Sequence, residues 1–452
     1  MAQAKAQEAI IHQLDGRPPL RVALPLGLQH VLTMFVGNLA PVIIISGALV
    51  AQGAMTTGQQ LLMIQCAMLI SGLATLLQLY PLKLGKRIQI GARLPIVMGT
   101  SFIFLGALMT IGLEYGPNVM FGAVIAGSVV QVFIGLLYQP LSKFFPPVVI
   151  GCVLLTIGLS LLPVGTNYLA GGAAATEAGT YGSWQNILVG LTVMLVVLVF
   201  QRWGKGFSKT VAILIAVVAG YILAACLGMV NFSVITSSAP IALPIPAFIP
   251  EFQLAPILTI GALYVVCALE TIGNTNGITA AAFDRPATPR EVSGAILSDA
   301  ASCAFAGLFN GLPNTAFGQN AGIVAMTKVV NRWCVATGAF VLILAGFFPP
   351  IGALFSAMPP AVLGGAVLTV FGMIMVNGIK LIVSDGLNEI NILIICITFG
   401  LGYGITMQPD LIEVAPAWLG AILHETTLVV FLVAFLANLA FRQLKRKKKE
   451  QT

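Results

Sequence analysis

Leu312 to Lys328 reads LPNTAFGQNAGIVAMTK, and this stretch decides how the chain must fold. Gln319 and Asn320 stand between Gly318 and Gly322 in the middle of an otherwise apolar protein. An unpaired amide in such surroundings costs roughly 2–7 kcal/mol, so both side chains need a polar ligand or another polar part of the protein. The stretch is the leading candidate for a binding site.

Outward from it, the chain is a membrane protein by composition. Of 452 residues, 58% are hydrophobic and 8% charged, against roughly a quarter charged in soluble domains; the mean hydropathy is +0.98. Fourteen apolar segments near the ~20 residues needed to cross a bilayer follow one another with short connections. They begin at Val22, Gln59, Pro95, Val119, Pro146, Trp184, Phe207, Pro256, Val292, Asn314, Trp333, Pro360, Asn388 and Ala421. The fold class predicted is an all-α polytopic membrane protein, since barrel strands would alternate apolar and polar residues.

With a cytoplasmic amino terminus this layout puts all 22 Lys and Arg on the inner side, as the positive-inside rule requires. The placement supports the span count, cytoplasmic termini and a multi-pass protein of the plasma (inner) membrane. Residues 442–452 form a basic tail of the kind that holds topology against anionic lipid. No nucleic-acid partner is expected. The seven cysteines lie in apolar segments without CxxC spacing and read as small core residues. No metal site and no cofactor are expected. The first twenty residues lack an apolar signal core, so no cleaved signal peptide is expected either. Two outside loops are predicted at Val164–Ser183 and Val230–Glu251, neither long enough for a domain.

The opening stretch has an echo. Leu94-Pro95 leads to Gly99-Thr100-Ser101-Phe102 as Leu312-Pro313 leads to Gly318-Gln319-Asn320. The copies begin spans three and ten, seven apart, so an odd-numbered repeat places them in inverted orientation. Proline removes a backbone donor and glycine weakens a helix, while Ile96, Val97, Phe102, Thr315 and Phe317 favour extended backbone. Short strands followed by half-helices are predicted in both spans. Half-helix amino termini would aim N–H groups at a ligand.

Glu270 and Asp299 are the acidic residues that fall well inside spans, and a carboxyl there is functional by default. Ionised, Glu270 accepts from a ligand N–H; otherwise it takes up a proton. Asp299 suits either a proton site or an anchor for span ten. His30 stands beside Gln29 and near Asn38 in a polar patch of span one.

These residues resemble the nucleobase-ascorbate transporter family, the nucleobase-cation symporters. That family's signature is Gln, Glu or Pro, then Asn, any residue, Gly, four residues, Thr, and Arg, Lys or Gly. Gln319, Asn320, Gly322, Thr327 and Lys328 satisfy every fixed position. The likeness extends to Gln29-His30, Gly99 to Phe102, Glu270 and Asp299. It implies two inverted seven-helix repeats split into a core domain (22–138 and 255–358) and a gate domain (139–254 and 359–441), with 1–21 as a cytoplasmic tail. It further implies a homodimer with an elevator-like motion. The base would lie between spans three and ten, held by Glu270 and Gln319, with backbone at Gly318, Ser101 beside it and aromatic faces at Phe102 and Phe317. His30, Asp299 and Asn320 would support the site or the proton route. Asn274 stands where relatives often carry Asp or His, which leaves one titratable group fewer.

Gln319 bears on the substrate, since members with Gln there resemble xanthine and uric acid permeases, whereas bacterial uracil transporters have Glu. An amide donates and accepts; an ionised carboxylate only accepts. The expected function is proton-coupled import of a purine nucleobase, xanthine or uric acid. Uracil transport, an anion carrier of the same architecture and a membrane-embedded enzyme are the alternatives. The buried charges here are acidic, and the chain has no HExxH or DxxD pair.

Overall fold

The computed structural model describes residues 10–85, 88–141, 144–236, 238–413, 423 and 425–450. The expected start of span fourteen at Ala421 lies outside the described residues, as do Lys5, Lys86, Arg87, Lys143 and the side chains from Arg442 onward.

Helices of eight residues or more are α1 (Leu20–Ala51), α2 (Thr57–Leu79), α3 (Leu105–Glu114), α4 (Pro117–Leu136), α5 (Pro147–Leu169), α6 (Trp184–Trp203), α7 (Ala212–Cys226) and α8 (Leu254–Phe283). They continue as α9 (Pro289–Leu308), α10 (Gln319–Thr327), α11 (Arg332–Ala345), α12 (Pro349–Ser356), α13 (Pro360–Ser384), α14 (Glu389–Ile397) and α15 (Thr426–Glu450). Among the described residues eight helices are long and apolar enough to cross a membrane, or nine if α11 and α12, bent by 81° at their junction, form one span.

Among the described residues four short strands interrupt the helices: β1 (Leu82–Leu84), β2 (Ile88–Ile90), β3 (Met98–Thr100) and β4 (Asn314–Ala316). β1 and β2 form a hairpin that the span layout did not anticipate. β3 and β4 lie in the two Leu-Pro segments and pair antiparallel, Met98 with Ala316, Gly99 with Thr315 and Thr100 with Asn314. Ser101 N–H to Pro313 O (2.8 Å) and Phe317 N–H to Val97 O (2.9 Å) extend the ladder. Gly99 is required here: a Cβ on it would fall 2.6 Å from the Phe317 ring and 2.8 Å from Met34. α3 and α10 start just past the strands, and neither amino terminus has a side-chain cap.

Helix packing sorts the chain into two bodies. α5, α6, α7 and α13 pack together, while α1, α2, α8 and α9 hold the strand pair, with α4 packed on α8 and α9 and α11 on α1 and α2. Glycines set the closest crossings, as small residues do between apolar helices. On α5, Cβ atoms at Gly151 and Gly158 would come within 2.7 and 2.8 Å of the carbonyls of Gly378 and Phe371 in α13.

Several predicted details are corrected. The outside loop placed at Val164–Ser183 is largely helical: α5 runs on to Leu169, and a further helix spans Gly172–Glu177. Close packing holds that end of α5, since a Cβ on Gly364 would fall 2.1 Å from the Leu169 nitrogen. Span seven is divided into a turn at Phe207–Thr210 and α7, and span thirteen winds into a π-helix at Thr398–Tyr403. Cys226 and Cys396 are exposed rather than core residues; the other five cysteines are buried, and all are free thiols.

Candidate functional site

The strand pair lies within the body of α1, α2, α8 and α9, and its ends open on a pocket that α5 and α13 close from the other side. Thr100, Ser101 and Phe102 line it from the β3 side, Thr315 to Gln319 from the β4 side, and Glu270 and Asn274 from α8. The opposite wall is Leu154 of α5 with Ile374 and Asn377 of α13. Glu270, Asn274, Gln319, Gly318, Phe317, Phe102 and Ser101 are thus brought together, though distant in sequence. Its open volume is about 30 Å³, on the order of one water and far short of a bicyclic base. A second cavity of about 970 Å³ adjoins it, shares Gly318, Gln319 and Asn377, and is lined farther out by Lys209 and Lys380.

Glu270 lies in reach of the hydroxyls of Thr315 and Ser101, yet its Oε2 is buried without a partner. A carboxylate oxygen left this way is costly unless a ligand or a proton completes it. The Gln319 side chain makes no hydrogen bond among the described residues and faces both cavities. The two residue types that can read a donor–acceptor edge are the two left unsaturated at the pocket.

The other predicted residues fall into different places. Asp299 is fully buried behind the pocket, accepting from Gln78 Nε2 at 3.1 Å and from the Thr271 hydroxyl. Thr271 Oγ1 lies 3.4 Å from Thr315 Oγ1, so hydroxyls connect Asp299 to the surroundings of Glu270. Asn320 turns away from the pocket, its Nδ2 3.0 Å from His30 Nδ1. His30 is buried one layer deeper, with Nε2 unpartnered. Asn274 donates to Ala316 O at 2.6 Å and clasps the end of β4; a Cβ on Gly318 would fall 2.5 Å from its Oδ1.

Phe102 and Phe317, expected as aromatic faces of the pocket, both line it, and each also packs against other groups. Phe317 is 5% exposed, with its ring against Gly37 and Gly99. It is committed to core packing because only glycines on both sides leave room for it. Phe102 makes an edge contact with Phe371 of α13, centroids 5.3 Å apart at 88°, and so joins the two bodies at the pocket.

Of the residues that hold this geometry, sequence reasoning noted Asn38 in a polar patch without giving it this role and missed those of α2. Asn38 Oδ1 accepts from Thr100 N–H (2.8 Å), Thr100 Oγ1 (3.1 Å) and Ser71 Oγ (2.8 Å), and Ser71 also donates to Asn314 Oδ1 (3.1 Å). Thr75 Oγ1 accepts from Met98 N–H at 2.9 Å. Gln78 accepts from Ala92 N–H and donates to Ala295 O besides Asp299. The one available signal was repeated polar residues in α2 (Ser71, Thr75, Gln78) at helical spacing.

Known proteins share this chain over nearly its whole length. A model described as "Permease family" matches residues 21–411. A uric acid permease, PucJ of Bacillus subtilis (strain 168), is 34% identical over 94% of this chain and 94% of its own. The xanthine permease XanQ of Escherichia coli (strain K12) is 32% identical, covering 95% and 93%. Among solved structures, the transmembrane domain of the cyanobacterial bicarbonate transporter BicA has a TM-score of 0.55 at 16% identity, covering 94% of this chain and 100% of that one. At that identity the likeness concerns the fold alone.

Proposed function

The chain belongs to this permease family, the nucleobase-ascorbate transporters that its signature resembles, and from that premise we propose that it imports xanthine or uric acid by proton symport. It is a multi-pass membrane permease and not an enzyme. The observation that carries the proposal is the pairing of an unpartnered Glu270 oxygen with the unbonded Gln319 amide at one pocket. An oxidised purine offers adjacent N–H and C=O groups along one edge. Glu270 accepts from the N–H, and Gln319 both donates and accepts. A bond to the neutral Gln319 amide is worth about 0.5–1.5 kcal/mol and one to an ionised Glu270 about 1.5–3 kcal/mol.

The wide cavity lined by Lys209 and Lys380 is the entrance in the state described, and the basic residues make that side cytoplasmic. Because the pocket is smaller than a base, α13 must withdraw from the strand pair for substrate to seat. We read the body around the strands as a core moving against a gate built on α5, α6, α7 and α13. The protein is taken to work in the plasma membrane as a homodimer with both termini cytoplasmic. Glu270 then carries the proton on one carboxyl oxygen while the other accepts from the base, and Asp299 steadies it through Thr271 and Thr315.

Competition identifies the substrate. Uptake of labelled xanthine into proteoliposomes should be suppressed by unlabelled xanthine and uric acid, and weakly by uracil or ascorbate. Gln319→Glu should lower the xanthine preference over uracil by about tenfold, the equivalent of ~1.4 kcal/mol. Uracil as the strongest competitor of wild-type uptake would overturn the purine assignment.

A further inference from the structure

A groove of about 670 Å³ lies away from the transport pocket, between the last turns of α2, the start of α11 and the segment before α1. Leu73, Leu76 and Leu77 form one wall, Trp333 and Phe340 another, and Leu82 of the hairpin its rim. From Arg332 to Phe340 the groove runs about 12 Å along α11, at 1.5 Å per residue. Leu73, Leu82 and Phe340 are 37%, 59% and 47% exposed. The hairpin register puts Leu82, Leu84, Ile88 and Ile90 on one face and Lys83 and Gln89 on the other. This is an apolar skirt with a polar back.

Cations gather at one end of the groove. Arg17 is exposed, stacks on Trp333 at 5.5 Å and makes no ion pair or hydrogen bond among the described residues. Arg332 donates to Leu79 O (2.7 Å) and to Asp15, while its Nε is buried without a partner. Asp15 also pairs with Arg93 at 2.9 Å. Three arginines against one carboxylate leave this end positive.

We propose that the groove holds an anionic phospholipid, with its headgroup at Arg17 and Arg332 and an acyl chain along Leu73, Leu77 and Phe340. The chemistry at each end selects that occupant. A long apolar channel opening sideways from α2, which is itself apolar enough to span, suits a chain rather than a soluble anion. The excess positive charge prefers a net-negative headgroup to a zwitterionic one. Bound lipid would tie the segment before α1 to the α10–α11 connection, which it already touches through Asn331 and the backbone of Ile11 and Leu14.

Native mass spectrometry of the purified full-length protein with added dioleoyl phosphatidylglycerol or dioleoyl phosphatidylcholine tests this. Phosphatidylglycerol should be retained preferentially. Arg17→Gln should reduce that retention about fivefold, and Arg17→Lys should restore most of it. Inorganic phosphate should not compete, because it lacks the chain. A phosphatidylglycerol with a photoreactive acyl chain should label Leu73, Leu77 or Phe340. Equal retention of both lipids, an unchanged Arg17→Gln, or displacement by phosphate would overturn the proposal. So would cross-links placing residues 1–9 or a second copy in the groove.

Discussion

At the scale of single residues, the site separates groups left unsaturated at the pocket from groups turned away from it. Glu270 and Gln319 keep free valences at the pocket, whereas Asn320 is turned to His30, with Asn320 Oδ1 and His30 Nε2 unpartnered away from the pocket, and Asn274 is turned to Ala316. Gly318 sits where these classes meet, since any Cβ there collides with Asn274 Oδ1. Gly318→Ala should therefore raise the KM for uptake roughly fivefold or more, because overpacking of this kind costs about 1–3 kcal/mol. Asn274→Ser in the same chain should recover part of the loss; a Gly318→Ala protein with wild-type kinetics would mean that Asn274 yields freely. Glu270 and Gln319 were legible in the sequence because a carboxyl or a long amide inside an apolar run has no local way to satisfy itself. Thr315 and Thr100 were legible as parts of extended segments but not as residues of the site, and Asn377 was not legible at all. A threonine in a helix can satisfy itself on the preceding turn, as Thr279 does on Thr275 O, so its presence signals nothing until the topology is known.

Among the elements, the antiparallel strand pair fixes the pocket, and Asn38 of α1 fixes the strand pair. Asn38→Ala removes three hydrogen bonds to one oxygen and leaves Thr100 and Ser71 buried with fewer partners. It should destabilise the detergent-solubilised protein by about 1–3 kcal/mol, read as a lowered unfolding temperature, whereas an unchanged temperature would remove Asn38 as the anchor. The segment before α1 is a second fastening, outside the spans. The Arg332 hydrogen bond, with Arg93 adding to it, holds the Asp15 carboxyl below its ordinary 3.8. Because the folded value is the lower one, this contribution is complete well above pH 3.8 and fades as pH falls through the folded value. Asp15 is exposed, so Asp15→Asn should cost at most about 1 kcal/mol at pH 7. Variant and wild type should converge in unfolding temperature under strongly acid conditions; a gap independent of pH would place the effect elsewhere. The Leu-Pro echo made β3 and β4 legible because proline and glycine act locally. The β1–β2 hairpin was missed although Leu-Lys-Leu and Ile-Gln-Ile alternate, since three residues are too few to stand out from a span boundary.

For the molecule as a whole, two helical bodies meet at a pocket that admits no base as it stands, beside a cavity that nearly reaches it. On our reading transport is the alternation of that contact, with Phe102 against Phe371 among the groups that must part. Hydropathy and the basic loops suggest fourteen segments, while length and composition recognise eight or nine spans among the described residues. Helices are broken at β3 and β4, at the turn before α7, at the bend after α11 and at the π-helix. Such breaks depend on packing between distant segments, which hydropathy does not encode. The central claim, that Glu270 binds the base and carries the proton, is met most directly by labelled xanthine uptake into proteoliposomes with and without an imposed pH gradient, comparing wild type with Glu270→Gln. The account predicts gradient-stimulated accumulation by wild type and loss of at least tenfold in the variant, with no response to the gradient; normal, gradient-driven xanthine uptake by Glu270→Gln would contradict it.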